Sequence, residues 1–225
     1  MNQPRQRLER RRQQARDRFG VLLVLLVGSF VALGFANNGW ARVLAGVLEL
    51  SALCVGFLAS GLTARYRRVG VVGLVGVASI VLTAVTGETA TGLSQIAAVV
   101  VLGTLLLGVL DRVLHHEEVT VQTLFGAVCA YFLIGLMFSA VYGALNDLGS
   151  TPVFGAPVDR SVFSYFSFTT LTTVGFGDFT AVTDIGRRIA MIEAVIGQVF
   201  IATTLARLVS LYKSGAPSPE SGAPT

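Results

Sequence analysis

The sequence predicts an all-α membrane protein with six transmembrane helices. Three observations lead there. The 225 residues are 53% hydrophobic and only 13% charged, with a mean hydropathy of +0.70; typical soluble domains carry about 25% charged residues. Six apolar runs, 19–36, 42–63, 69–86, 92–110, 121–145 and 184–212, approach or exceed the roughly 20 residues a spanning helix needs. Basic residues fall in alternate connections, as a multi-pass orientation requires.

The elements follow in chain order. Residues 1–18 hold seven arginines against Glu9 and Asp17, a basic cytoplasmic segment under the positive-inside rule. It reads equally as a helix on anionic headgroups or as a disordered orientation signal. A secretory signal peptide fits poorly, because Gly34-Phe35-Ala36 is a weak cleavage site and a second apolar run follows within a few residues. The first four spans, within 19–110, have short connections and form a compact four-helix domain. Arg65, Arg67 and Arg68 place the loop after the second span in the cytoplasm, whereas the connection 86–91 carries Glu88 and no base. Gly70, Gly73 and Gly76 let the third span approach its neighbours closely. Glu49 follows Arg42 by seven residues on one helical face, which suits an internal polar contact or a functional acid. Cys54 and Cys129 both lie inside spans and give no disulfide or metal-ligand spacing.

The linker 111–120, "DRVLHHEEVT", is polar and reads as an interfacial cytoplasmic helix. Its His115 and His116 are exposed linker residues or pH sensors. Residues 121–213 then form a span, a long outside excursion and a final span. The excursion contains "SVFSYFSFTTL", too short to cross a bilayer but rich in aromatic residues, with Asp159 or Ser161 placed to cap a short helix. Such a re-entrant helix is tolerated only where protein or a water-filled cavity surrounds it. The tail 214–225 is rich in Pro, Gly and Ser and is expected to be disordered, with both termini cytoplasmic.

The stretch "TTLTTVGFGDFT" at 169–180 interrupts the apolar pattern. An ion entering an apolar phase loses hydration worth on the order of 20 kcal/mol in the idealised Born picture. Backbone carbonyls can replace that water if they all point to one axis. Right- and left-handed residues must then alternate, and glycine adopts the left-handed conformation at little cost. Gly175 and Gly177 are spaced two apart for this alternation; Val174 and Phe176 would point away, and Thr173 adds a hydroxyl at the inner end. One strand gives one oxygen per level. A cage therefore needs several copies, and a homotetramer closing four of them about an axis is expected.

Here "TTLTTVGFGD" resembles the signature of potassium channels, strongly over residues 121–213 and, through the six-span layout, weakly over the rest. The resemblance implies a re-entrant pore helix, a selectivity filter and a homotetrameric pore passing K+ ions. It implies ion coordination by Thr173, Val174, Gly175, Phe176 and Gly177, with filter support from Asp178, Tyr165, Thr172 and Glu193. Tyr165 and Phe166 occupy the places of the aromatics that usually partner Asp178, and only Tyr165 has a hydroxyl, so a Tyr165–Asp178 hydrogen bond is expected. The pattern departs at Phe176, where tyrosine is commoner, and at Thr169, where some bacterial members place a Glu behind the filter. Gly197 stands where the family often has a hinge, and Ile201, Leu205 and Val209 lie below it as an apolar gate closing by dewetting or as ordinary packing. Glu193, a turn above the hinge, is placed to brace the pore helix.

The first four spans resemble a voltage-sensor domain without its charges. One elementary charge moved across 100 mV is worth about 2.3 kcal/mol, yet the fourth span has no basic residue and Arg112 follows only at its end. Gating through that helix is not expected. No nucleophile–base pair or metal constellation suggests an enzyme, and neither a cofactor nor a nucleic-acid partner is expected. K+ is the conducted ion, lipids are the surroundings, and the inner (plasma) membrane is the expected location. A weakly selective monovalent cation channel is the nearest alternative. A potassium-transporter subunit would need four filter-like repeats, and this chain has one; a non-conducting scaffold has no use for an intact filter.

Overall fold

In the computed structural model, residues 20–32, 91–114 and 121–214 are described, with isolated positions between 34 and 76. Five helices have described bounds: α1 (Gly20–Ala32), α2 (Thr91–Leu114), α3 (Val121–Leu148), α4 (Arg160–Leu171) and α5 (Asp184–Ser214). Among the described residues, α2, α3 and α5 are long and apolar enough to cross a membrane. They correspond to the fourth, fifth and sixth expected spans, and α1 lies inside the first. Apart from those isolated positions, the second and third expected spans lie outside the described residues, as do Arg42, Glu49, Cys54, His115, His116, residues 1–18 and residues 215–225.

Two boundaries differ from the sequence reading. Helix α2 continues to Leu114, so the first four residues of the expected linker extend a span. Helix α3 runs three residues beyond 145. Both extensions begin with polar residues, Asp111-Arg112 and Asn146-Asp147, and polar residues continue a helix readily once the backbone hydrogen bonds are already propagating.

Helix α3 is the most buried of the three long helices. Leu102, Leu105, Leu106 and Val109 of α2 meet Cys129, Leu133 and Leu136 of α3 in one core, which Leu22 and Leu26 of α1 join. Between apolar helices in lipid, such contacts stabilise by close packing rather than by removal from water. Phe30 of α1 reaches α3 and residue Phe168 directly: its ring centroid lies 4.5 Å from Phe168 and 6.2 Å from Phe132.

Helix α4 packs against both α3 and α5. At 12 residues it would span only about 18 Å, too short to cross. An aromatic cluster fixes its entry: Phe154 sits 5.8 Å from Phe163, 5.0 Å from Phe166 and 6.0 Å from Phe179. Asp159 is the N-cap by position, but its side chain makes no capping bond; its carbonyl accepts the Val162 N–H at 2.9 Å instead. Arg160, a cation at the unfavourable positive end of the helix, is held by Asp147 of α3 at 2.9 Å. The connections on either side of α4 meet where the Val182 N–H donates to the Val153 carbonyl at 2.9 Å. Thr183 then caps α5, accepting the Gly186 N–H on Oγ1 at 3.2 Å.

Candidate functional site

The site is the segment between α4 and α5, and it begins at the C-terminus of α4. Thr172 ends the helix: its N–H donates to the Phe168 carbonyl at 3.1 Å and its Oγ1 to the same oxygen at 2.6 Å. The Thr172 hydroxyl is thereby tied back into α4 and does not reach the segment that follows. The backbone then turns on alternate residues. Thr173 (φ 59°), Gly175 (φ 49°) and Gly177 (φ 79°) are left-handed, and Val174 and Phe176 between them are not. A left-handed residue after each right-handed one turns successive carbonyls to the same side. The alternation expected from the two glycines is present and extends one step further, to Thr173. A β-branched residue in this region is an outlier, at a cost of about 1–2 kcal/mol.

Three groups hold the strained turn. The Thr173 N–H donates to the Thr170 carbonyl at 2.9 Å. The Thr169 carbonyl accepts two N–H groups, from Val174 at 2.9 Å and Gly175 at 3.1 Å. Thr169 therefore braces the segment by its backbone, while its hydroxyl donates to the Phe166 carbonyl at 3.0 Å. The third is Gln198 of α5, whose Nε2 donates to Thr173 Oγ1 at 2.9 Å.

At the other end, the Tyr165 hydroxyl donates to Asp178 Oδ2 at 2.8 Å, the hydrogen bond expected from the sequence. That bond, with burial and the Asp178 charge adding to it, holds the Tyr165 proton above the ordinary tyrosine range. Asp178 Oδ1 also accepts the Phe179 N–H at 3.0 Å. Phe176 stacks on Tyr165 with rings 7° from parallel and centroids 6.3 Å apart. Phe166, the other aromatic at this place, turns inward to Tyr142 and Phe154 and does not meet Asp178.

Behind α4 lies a buried polar network. Glu193 of α5 is fully buried. It accepts the Tyr142 hydroxyl on Oε2 at 2.7 Å and the Ser167 hydroxyl on Oε1 at 2.5 Å. Ser167 Oγ also lies 2.7 Å from the Gly135 carbonyl. Glu193 thus joins α5 to both α3 and α4.

Gly197 is a point of close approach between α5 and the end of α4. Helix α5 is continuous through it. A Cβ at this position would collide with the Leu171 carbonyl oxygen and lie 3.0 Å from Leu171 Cδ1. Glycine is needed here for close approach to the end of α4. Tyr131 of α3 donates its hydroxyl to the same Leu171 oxygen at 3.1 Å. Further along, Ile201 is 45% and Leu205 59% exposed in the single chain; Val209 lies in α5.

Ser167, Tyr142, Tyr131 and Gln198 were not identified from the sequence. Gln198 carries the clearest signal in retrospect, as an amide placed among apolar residues immediately after Gly197. The others are hydroxyls on apolar helices, and only the fold shows which way they face.

Residues 153–214, from the outside excursion through α5, match the family model described as "Ion channel". No curated protein and no solved structure matches the chain. The matched region holds the alternating segment and both helices that flank it, and it points to a channel rather than an enzyme. It does not extend to α1 or α2.

Proposed function

We propose that the chain forms a homotetramer and conducts K+ passively and selectively through a filter of Thr173, Val174, Gly175, Phe176 and Gly177. The observation that carries this reading is the alternation of backbone hand at Thr173, Gly175 and Gly177. It aims consecutive carbonyls one way, as replacement of an ion's hydration shell requires. The match of residues 153–214 to ion channels supports it. Assembly is supported by exposure. Phe176 is 70% and Val174 54% exposed in one chain, and irregular backbone at membrane depth requires cover by protein or by a water-filled pore. Four chains about an axis supply both.

In this reading Asp178 and Tyr165 hold the outer end of the filter, and Glu193 holds α4 behind it. Thr172 has a smaller part, ending the pore helix. Ile201 and Leu205, exposed in the single chain, face the inner cavity as the apolar constriction. Conduction is independent of voltage sensing in α2, which holds no basic residue over 92–110. The test is reconstitution into liposomes with reversal potentials in mixed K+ and Na+. A reversal potential following the K+ gradient supports the reading. One lying midway between the two gradients assigns the protein as a weakly selective cation channel.

A further inference from the structure

Resting on that reading, we infer that Gln198 is a positioning residue for the innermost ion site: its amide fixes the Thr173 hydroxyl toward the axis and so sets how tightly that site holds a cation. Thr173 is the strained member of the segment, with φ at 59° on a β-branched residue. Such conformations persist only where the surroundings over-determine them. Its backbone is held within α4, by the Thr170 carbonyl at 2.9 Å. Its side chain is held from a different element, by Gln198 Nε2 at 2.9 Å.

The placement of α5 makes this contact more than incidental. Gly197 seats the α5 backbone against the Leu171 carbonyl, with no space for a Cβ, and Tyr131 pins the same carbonyl at 3.1 Å. The distance from α5 to the start of the segment is therefore fixed one residue before Gln198, and the amide reaches Thr173 from a rigid base. With Nε2 donating to Oγ1, one lone pair of that oxygen is occupied. The other is left for an ion, and rotation about χ1 is blocked. Without the amide the hydroxyl is free to turn away, and the innermost level loses one oxygen from each chain.

The test uses the full-length chain in liposomes, with Ba2+ as probe, a divalent cation of nearly the radius of K+ that binds the same oxygens. The concentration that half-blocks K+ flux is measured for wild type, Q198L, Q198N and Q198E. Q198L removes the amide, Q198N keeps it but shortens its reach, and Q198E reverses the bond, its carboxylate accepting the Thr173 hydroxyl proton and still fixing that hydroxyl. Q198L and Q198N are expected to raise the half-blocking concentration about tenfold, a change of about 1.4 kcal/mol, while Q198E stays within twofold of wild type or tightens block. In a T173V background, isosteric but without the hydroxyl, Q198L is expected to add less than twofold. Unchanged block in Q198L, or a full tenfold effect persisting in T173V, overturns the role of Gln198 alone. A wild type that carries no K+ flux overturns the conduction reading, and this inference with it.

Discussion

Thr173 shows how far a single residue can depart from what its type prefers. Valine, threonine and isoleucine avoid the left-handed region because their branched Cβ crowds the backbone, yet Thr173 adopts it at φ 59°. Its neighbours supply the constraint, from Thr170 on one side and Gln198 on the other. Gly197 is the complementary case, a residue required for what it lacks. Gly197→Ala is expected to destabilise the protein by about 1–3 kcal/mol through overpacking against Leu171, read as a lower thermal midpoint in detergent. Without that clash the substitution would raise the midpoint or leave it unchanged, since alanine is the better helix former. Tyr165 gives a pH-dependent prediction. Its proton is held above the ordinary tyrosine range, first by the bond to Asp178. The folded state therefore binds that proton more tightly than the unfolded one, and the contribution is complete below the ordinary tyrosine value of about 10. It is lost as pH rises through the raised value. Thermal midpoints of wild type should fall across that alkaline window, and those of Y165F should not show this component.

At the scale of elements, α4 is a short polar-ended helix that cannot cross a membrane and is held in place from three sides. The aromatic cluster around Phe154 fixes its start, Phe30 of α1 contacts Phe168 midway, and Glu193 grips it through Ser167. Glu193 also holds α3 through Tyr142, so one side chain ties three helices. Replacing it with alanine leaves the buried Tyr142 hydroxyl without its acceptor, leaves Ser167 only the Gly135 carbonyl, and opens a cavity, at an expected cost of about 2–5 kcal/mol. Glutamine preserves the network in one orientation. Its amide oxygen accepts from Tyr142, its amide nitrogen donates to Ser167, and Ser167 donates to Gly135. Chemical denaturation should thus rank E193Q close to wild type and E193A well below both. Equal loss in the two variants would show that the charge, rather than the hydrogen bonds, holds the helices together.

For the whole molecule, the single chain is an incomplete solution to its own backbone chemistry. Thr172 to Asp178 are all exposed, and α5 leaves Met191, Ile192 and Val195 uncovered. Surfaces of that kind mark contacts with other chains or lipid. The tetramer reading predicts four copies by native mass spectrometry, and a thermal midpoint higher in K+ than in Na+. Binding only to the assembled state stabilises it by about 2.7 kcal/mol when the ion is at 100 times its dissociation constant. Equal midpoints in the two ions would count against a selective filter. An open probability that is insensitive to membrane potential should accompany this, because α2 offers no charge for the field to move over 92–110.

Much of this protein is written in local sequence. Apolar run length determines which segments can cross a membrane, because each span satisfies its own backbone hydrogen bonds. The spacing of Gly175 and Gly177 likewise announces the alternating segment, since left-handed backbone is a property of single residues. The Tyr165–Asp178 bond was legible through the resemblance to potassium channels, because Tyr165 alone of the two aromatics at the places that usually partner this aspartate carries a hydroxyl. What only the tertiary structure decided concerns contacts between elements distant in sequence. That Gly197 serves close approach to Leu171, that Gln198 reaches Thr173, and that Glu193 meets Ser167 and Tyr142 all depend on the rotation of α5 against α3 and α4. An apolar helix with little amphipathic pattern does not specify that rotation in its own sequence. Packing between helices sets it, and with it which polar atoms meet.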